Sequence, residues 1–142
     1  MSPATFDLTE IDHVAIAVRD LDAAVAFYRD VIGATVVHRE AVEIDGVEEV
    51  LLEVADSYVQ LLTPTRADSP VARYLERRGE GLHHVGFRVS DCAAALESMR
   101  SAGAAAIDAV PRPGSRGTTV AFVHPKSAFG VLIELVQENR AG

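Results

Sequence analysis

Two histidines, a glutamine and a glutamate stand at matched places along the chain. His13 opens the run Ile11-Asp12-His13-Val14-Ala15-Ile16-Ala17-Val18-Arg19-Asp20, and His84 opens Leu82-His83-His84-Val85-Gly86-Phe87-Arg88-Val89-Ser90-Asp91. Gln60 follows His13 by 47 residues in Tyr58-Val59-Gln60-Leu61-Leu62, and Glu134 follows His84 by 50 in Val131-Leu132-Ile133-Glu134-Leu135-Val136. Two imidazoles, an amide oxygen and a carboxylate form a hard to borderline donor set. It suits an octahedral divalent ion such as Co²⁺, Mn²⁺, Ni²⁺, Mg²⁺ or Fe²⁺, with positions left over for solvent or substrate oxygens. Zn²⁺ is admissible, although it typically takes four ligands richer in nitrogen or sulfur.

The elements that must position these groups form an internal repeat, the first thing to seek in a chain because it governs the fold. Each copy reads βαβββ. In the first, a strand from about Ile11 to Val18 leads to a helix capped by Asp20 and running through Ile32, with Leu21, Val25, Tyr28 and Ile32 as its apolar stripe and Gly33 as its stop. Strands are expected near Thr35–Arg39, Val47–Val54 and Ser57–Leu62. A linker helix capped by Ser69 starts at Pro70 and ends at Arg78 before Gly79-Glu80-Gly81. The second copy supplies strand His84–Val89, a helix capped by Ser90 or Asp91 and ended at Gly103, a short strand, the Pro111–Gly117 loop, strand Thr118–Val123, a turn at His124–Gly130 and strand Val131–Val136. The ends, Met1–Asp7 and Asn139–Gly142, read as frayed. The organisation is one domain over 8–138, with a first module at about 10–64, a linker helix at 67–79 and a second module at about 81–138. The fold class is α+β: two paired βαβββ modules forming a curved mixed sheet around a metal site.

Strand parity sharpens the assignment, because successive side chains point to opposite faces. Val14, Ile16 and Val18 claim the helix side, leaving His13 with Ala15 and Ala17 on the other. Val85, Phe87 and Val89 do the same for His84; Val59 and Leu61 for Gln60; Val131, Ile133 and Leu135 for Glu134. A histidine alone at a strand start is more often a hydrogen-bonded structural residue than a ligand. The carboxylate within Val-Leu-Ile-Glu-Leu-Val is harder to dismiss, since a buried charge needs a partner. Parity excludes His83 as a ligand, and His38 and His124 have no counterpart in the repeat and default to structural roles.

A proton-transfer group comes next. Val50, Leu52 and Val54 take the helix side of their strand with Glu48, so Glu49 points with Leu51 and Glu53 to the other face. A glutamate near a dication can abstract a proton, its basicity set by burial and by the metal. Glu43, by the Asp45-Gly46 turn, is a weaker candidate. Arg112 and Arg116 in the Pro111–Gly117 loop, with Lys126 in the turn beyond, offer groups for phosphates or a carboxylate, although an ordinary polar loop has the same composition. Arg88 shares the His84 side of its strand, and Arg73, Arg77 and Arg78 read as a solvated helix face.

Composition excludes several classes of function. The net charge of −8 argues against nucleic acid as a partner. It does not exclude an anionic substrate, because exposed charges are screened over about 8 Å at physiological salt. No apolar run reaches the length of a membrane span and no signal peptide is evident, so neither a membrane nor secretion is expected. The single cysteine, Cys92, excludes an intramolecular disulfide and fits a cytoplasmic setting. A helix start could lower its pKa, but with no base partner it reads as a plain helix residue.

The paired modules and their ligand pattern resemble the vicinal oxygen chelate superfamily, and within it the methylmalonyl-CoA epimerases. The matching stretches are Ile11-Asp12-His13-Val14, Gln60-Leu61-Leu62-Thr63-Pro64, Arg78-Gly79-Glu80-Gly81-Leu82-His83-His84-Val85, His124-Pro125-Lys126-Ser127 and Gly130-Val131-Leu132-Ile133-Glu134-Leu135. The strand ligands alone are shared with glyoxalase I; the Arg-Gly-Glu-Gly-Leu-His-His and His-Pro-Lys-Ser segments are more specific. The resemblance implies a divalent metal, Co²⁺ foremost, on His13, Gln60, His84 and Glu134, with Glu49 as a catalytic acid/base. It implies an acyl-CoA substrate epimerised at the carbon between a thioester and a carboxylate. Glu134, or a water, would be the second acid/base, and Arg112, Arg116 or Lys126 would hold the CoA phosphates. A homodimer is expected from the fold class. The family often carries a Glu-Gln-Gly type of run where this chain has Ile44-Asp45-Gly46. The rival readings are a glyoxalase I-like lyase acting on a glutathione hemithioacetal, an extradiol dioxygenase, and a non-catalytic binding protein of the same fold. Gln60 as a fourth ligand counts against the dioxygenase, and the intact ligand set with Glu49 against the binding protein.

Overall fold

The computed structural model describes residues 6–139. These fall into two compact units, one of residues 13–83 and one of 6–12 with 84–139. Both boundaries lie inside strands, β1 (Leu8–Ala17) and β5 (Gly81–Val89), rather than at the linker helix. The physical reason is that the first residues bond to the second module. Ser90 N–H donates to Asp7 O at 2.9 Å, Asp7 N–H to Ser90 Oγ at 2.8 Å, and Thr9 Oγ1 to Arg88 O at 3.2 Å. Asp7 is therefore tied down rather than frayed. So is Asn139, whose Nδ2 donates to Gly117 O at 2.9 Å and Thr119 Oγ1 at 2.8 Å. The rest of the two segments expected to fray, Met1–Thr5 and Arg140–Gly142, lies outside the described residues.

In the unit of 13–83, β1 is followed by α1 (Leu21–Ala26), a π-helical segment (Phe27–Ile32), β2 (Thr35–Val42), β3 (Val47–Val54), β4 (Ser57–Pro64) and α2 (Pro70–Arg78). The strand order is β2-β3-β4-β1, with β4 parallel to β1 and the other pairs antiparallel. The second unit continues with α3 (Cys92–Ser101), β6 (Arg112–Pro113), β7 (Thr119–Val123) and β8 (Ile133–Gln137). Its order, β6-β7-β8-β5 with β8 parallel to β5, repeats the first. The edge strand β6 has two residues against eight in β2. Pro111 and Pro113 explain the difference, because proline cannot donate to a ladder.

The helices end where their caps dictate. Asp20 and Asp91 accept from Ala23 N–H and Ala94 N–H, and Ser69 accepts from Val71 N–H. The first helix departs from expectation at its second half, where Phe27–Ile32 is π-helical and Gly33 N–H reaches back to Tyr28 O. Wider i→i+5 turns rotate the later residues off the apolar stripe. Leu21 and Val25 are buried on Val50, Leu52 and Leu61, and Tyr28 packs against them, but Ile32 is exposed. Burial of each such aliphatic side chain contributes about 1.5–3 kcal/mol. The other face of this unit's sheet meets α2, with Ala15, Ala17, Val47 and Leu62 against Val71 and Leu75. In the second unit Cys92, Ala95 and Leu96 of α3 pack on Ala121, Val123 and Leu135.

Cys92 is fully buried there, and burial pushes its thiol up to about 11, reinforced by the negative charge of Glu134. Its Sγ faces Leu135 O at 3.8 Å. The helix start does not activate it. At pH 8 the thiolate fraction of such a group is about 10⁻³. A thiol-disulfide reagent should therefore label the native protein two or more orders of magnitude more slowly than free cysteine, and the guanidinium-unfolded chain at the free rate. Rapid labelling without denaturant would contradict this placement.

Candidate active site

The repeat persists to the level of register. Ala15, two residues after His13, pairs with Gln60, and Gly86, two residues after His84, pairs with Glu134. Residues directly opposite one another share a face, as do i and i+2 on one strand. His13 and Gln60 therefore share one face of the first unit's sheet, and His84 and Glu134 share one face of the second's. Ala15 and Gly86 present almost no side chain between the donors. His13, Gln60, His84 and Glu134 are all buried.

His84 Nε2 lies 3.1 Å from Glu134 Oε1, with the imidazole edge-on to Phe122 at a centroid distance of 5.3 Å. The two candidate ligands of this unit thus aim at one point. In the other unit Gln60 Nε2 donates to Glu49 Oε2. A carboxylate can only accept, so this contact fixes which end of the amide is nitrogen. Gln60 Oε1 is left buried with no hydrogen-bond partner among the described residues. Leaving such an oxygen unsatisfied costs about 1–3 kcal/mol, so an acceptor held this way calls for a cation or donor. The donor chemistry fits a divalent metal ion.

Glu49 sits where parity placed it, opposite Leu62 on β4 and 1% exposed. Glu48, on the other face, pairs with Arg39 at 2.9 Å. Glu43 is exposed in a 3₁₀ turn before Gly46, whose φ of 63° is left-handed. That turn is clamped from behind: Arg66 Nη1 donates to Glu43 O at 2.6 Å and Ser69 Oγ to Asp45 O at 3.2 Å. The clamp precedes the start of β3 at Val47, two residues before Glu49.

His83 packs edge-on against Tyr74 at 4.9 Å, away from the ligand parity. The basic residues assigned to CoA fare unequally. Arg112 Nε donates to Asp108 Oδ1 at 3.2 Å, with its guanidinium 5.5 Å from the centroid of Phe122. Arg116 Nη2 donates to Asp12 Oδ2 at 2.8 Å. Lys126 is exposed, and its backbone N–H donates to His124 Nδ1 at 3.0 Å. Arg88 is drawn into the same ionic group as Arg116, with Asp12, Glu10 and Glu138.

Two features escaped the sequence reading. Asp12, wholly buried, anchors both arginines, and its only signal was a charged residue inside an apolar strand. His38 and Glu40 were hidden by a β-bulge between Val36 and His38. Without it His38 would face Val50 on the helix side. With it, His38 pairs with Leu51 and Glu40 with Glu49, which puts both on the Glu49 face. His38 Nε2 lies 2.8 Å from Glu40 Oε1.

Residues 12–122 match the Glyoxalase/Bleomycin resistance protein/Dioxygenase superfamily, and the chain belongs to it. Its fold is that superfamily's pairing of βαβββ modules. Within the superfamily it groups with the methylmalonyl-CoA epimerases. It is 38% identical over 129 residues to the ethylmalonyl-CoA/methylmalonyl-CoA epimerase of Cereibacter sphaeroides, covering 89% of this chain and 96% of that one. The crystal structure of methylmalonyl-CoA epimerase from Mycobacterium tuberculosis superposes with a TM-score of 0.92 at 39% identity, over 98% of this chain and 94% of that one. A Streptomyces coelicolor methylmalonyl-CoA epimerase variant in complex with 2-nitronate-propionyl-CoA gives 0.90 at 44% identity, over 94% and 100%.

Proposed function

We propose that the protein is a divalent-metal-dependent epimerase that interconverts (2R)- and (2S)-methylmalonyl-CoA, with His13, Gln60, His84 and Glu134 as the metal ligands. The observation that carries this reading is the Glu49–Gln60 pair: a buried carboxylate beside a buried amide whose oxygen is unspent. The matched registers of the two ligand pairs and the similarity to acyl-CoA epimerases support it. When bound, the ion supplies Lewis-acid polarisation of the thioester carbonyl and acidifies the neighbouring C2–H.

The chain's own residues do the rest. Glu49 takes the C2 proton on one face, from a buried position that keeps competing water away. Glu134, carried by the other module, is assigned the proton delivered on the opposite face, so that configuration inverts. Gln60 donates to the Glu49 carboxylate and holds its oxygen atoms in place. Among the residues assigned to CoA, Lys126 is the phosphate contact, because Arg112 and Arg116 are engaged by Asp108 and Asp12 and shape the loop that bears them.

The test follows (2R,2S)-methylmalonyl-CoA by NMR in D₂O, with the protein metal-stripped and then given Co²⁺ or Mn²⁺. Metal-dependent deuterium uptake at C2, with interconversion of the enantiomers in a coupled assay, is the expected result. Background-level exchange with metal demonstrably bound would overturn the reading.

A further inference from the structure

We propose that His38 and Glu40 form the proton path between Glu49 and solvent, an inference that rests on Glu49 acting as the C2 base. Glu49 is 1% exposed, so a proton it has taken cannot leave directly into water. Glu40 faces it across the β2–β3 ladder, and the ligand atoms of His38, Glu40 and Glu49 all lie within 4.8 Å of one another. That span is closed by a small rotamer change or by one bridging water. The outer pair is already joined, at 2.8 Å, and its side chains are 31% and 35% exposed. The three groups therefore run from a buried carboxylate to the surface.

The arrangement exists only because of the bulge in β2, which turns two polar side chains toward Glu49.

The step balances as proton transfer alone. The proton removed from C2 resides on the Glu49 carboxyl, passes to Glu40, then through the His38 imidazole to water, leaving Glu49 ionised for the next substrate, while the group that delivered the other proton takes one back from solvent and no net proton is gained or lost. In a reaction where one group takes the proton and another delivers a different one, this reset precedes every new turnover.

The experiment compares wild type with Glu40→Gln and His38→Gln, checking each by thermal melting. Single-turnover and steady-state rates are measured, with imidazole added as a mobile proton carrier. The expected result is a single-turnover rate within about threefold of wild type and an almost unchanged kcat/KM. Steady-state kcat should fall about tenfold or more and recover saturably with imidazole. Parallel loss of kcat and kcat/KM without rescue would make the pair structural and overturn the path, as would wild-type kcat in both variants. Failure of the wild type itself to exchange C2–H would instead overturn the epimerase reading on which the path rests.

Discussion

Glu49→Gln should lose turnover by a factor of about 10² to 10⁴, the range expected when a positioned general base is removed, while retaining its metal. The two halves of this expectation come from different atoms of one contact. Glu49 accepts the Gln60 Nε2–H and thereby aims Gln60 Oε1. A glutamine at position 49 keeps a carbonyl oxygen for that contact but has no basic lone pair of useful strength. Glu49→Leu removes the acceptor as well, so the Gln60 amide is free to turn its nitrogen toward the metal. Partners that orient a ligand are worth roughly 10- to 100-fold in metal affinity. Calorimetric or competitive titration of Co²⁺ should therefore find Glu49→Gln close to wild type and Glu49→Leu weaker by about that factor. Both variants should fail to exchange C2–H. Turnover by Glu49→Gln within a few-fold of wild type would remove Glu49 from the chemistry, and equal metal affinities in the two variants would remove its orienting role.

The facing of the candidate site's main residues was legible because they obey period 2 and repeat. His13, Gln60, His84 and Glu134 could be assigned to faces from their Val, Ile and Leu neighbours, and the ladders keep that parity. Caps at Asp20, Ser69 and Asp91 were legible for the same local reason: a short acceptor before an apolar helix bonds to the orphan N–H groups of its first turn. What could not be read depends on breaks in period. The bulge at Val36/His38 inserts one residue and reverses the facing of everything on one side of it, and neither Val36-Val37 nor His38 carries a glycine or proline to signal it. The π-helical Phe27–Ile32 displaces Ile32 in the same way. The fate of Arg88 and Arg116 was hidden for another reason. Their anchor, Asp12, lies 76 and 104 residues away in sequence, and no local pattern announces a pairing at that distance.

Asp12→Asn should cost about 3–5 kcal/mol, the usual penalty for breaking a buried ion pair from one side. Asp12 is 0% exposed and receives Arg88 Nη2 at 2.8 Å and Arg116 Nη2 at 2.8 Å. Arg88 also reaches Glu10 at 3.0 Å and Glu138 at 2.9 Å. Burial works against the Arg88 charge, but its hydrogen bond and attraction to Asp12, with the charges of Glu138 and Glu10, outweigh it and hold its pKa above the ordinary arginine value. The guanidinium keeps its charge when Asp12 is lost, because arginine is intrinsically too basic to give up its proton in a protein. Asparagine fits the same volume, yet it offers one acceptor oxygen to two guanidiniums and points an NH₂ at donors. In a domain of this size the loss corresponds to a drop of about 10 °C or more in Tm. The exposed pair Arg29–Asp30, at 2.8 Å, is the contrasting case, and Asp30→Asn should leave the melt unchanged because water and salt already screen it. Arg116 has a left-handed φ of 46° and lies in the turn leading from β6 into β7. Asp12→Asn should therefore also release the Gly114–Thr118 turn, seen as faster amide exchange there than in β7. Coupling between Asp12→Asn and Arg116→Met in a double-mutant cycle would exceed about 1 kcal/mol if the two groups act as one unit. Additive effects would mean that Arg88 alone carries the buried carboxylate.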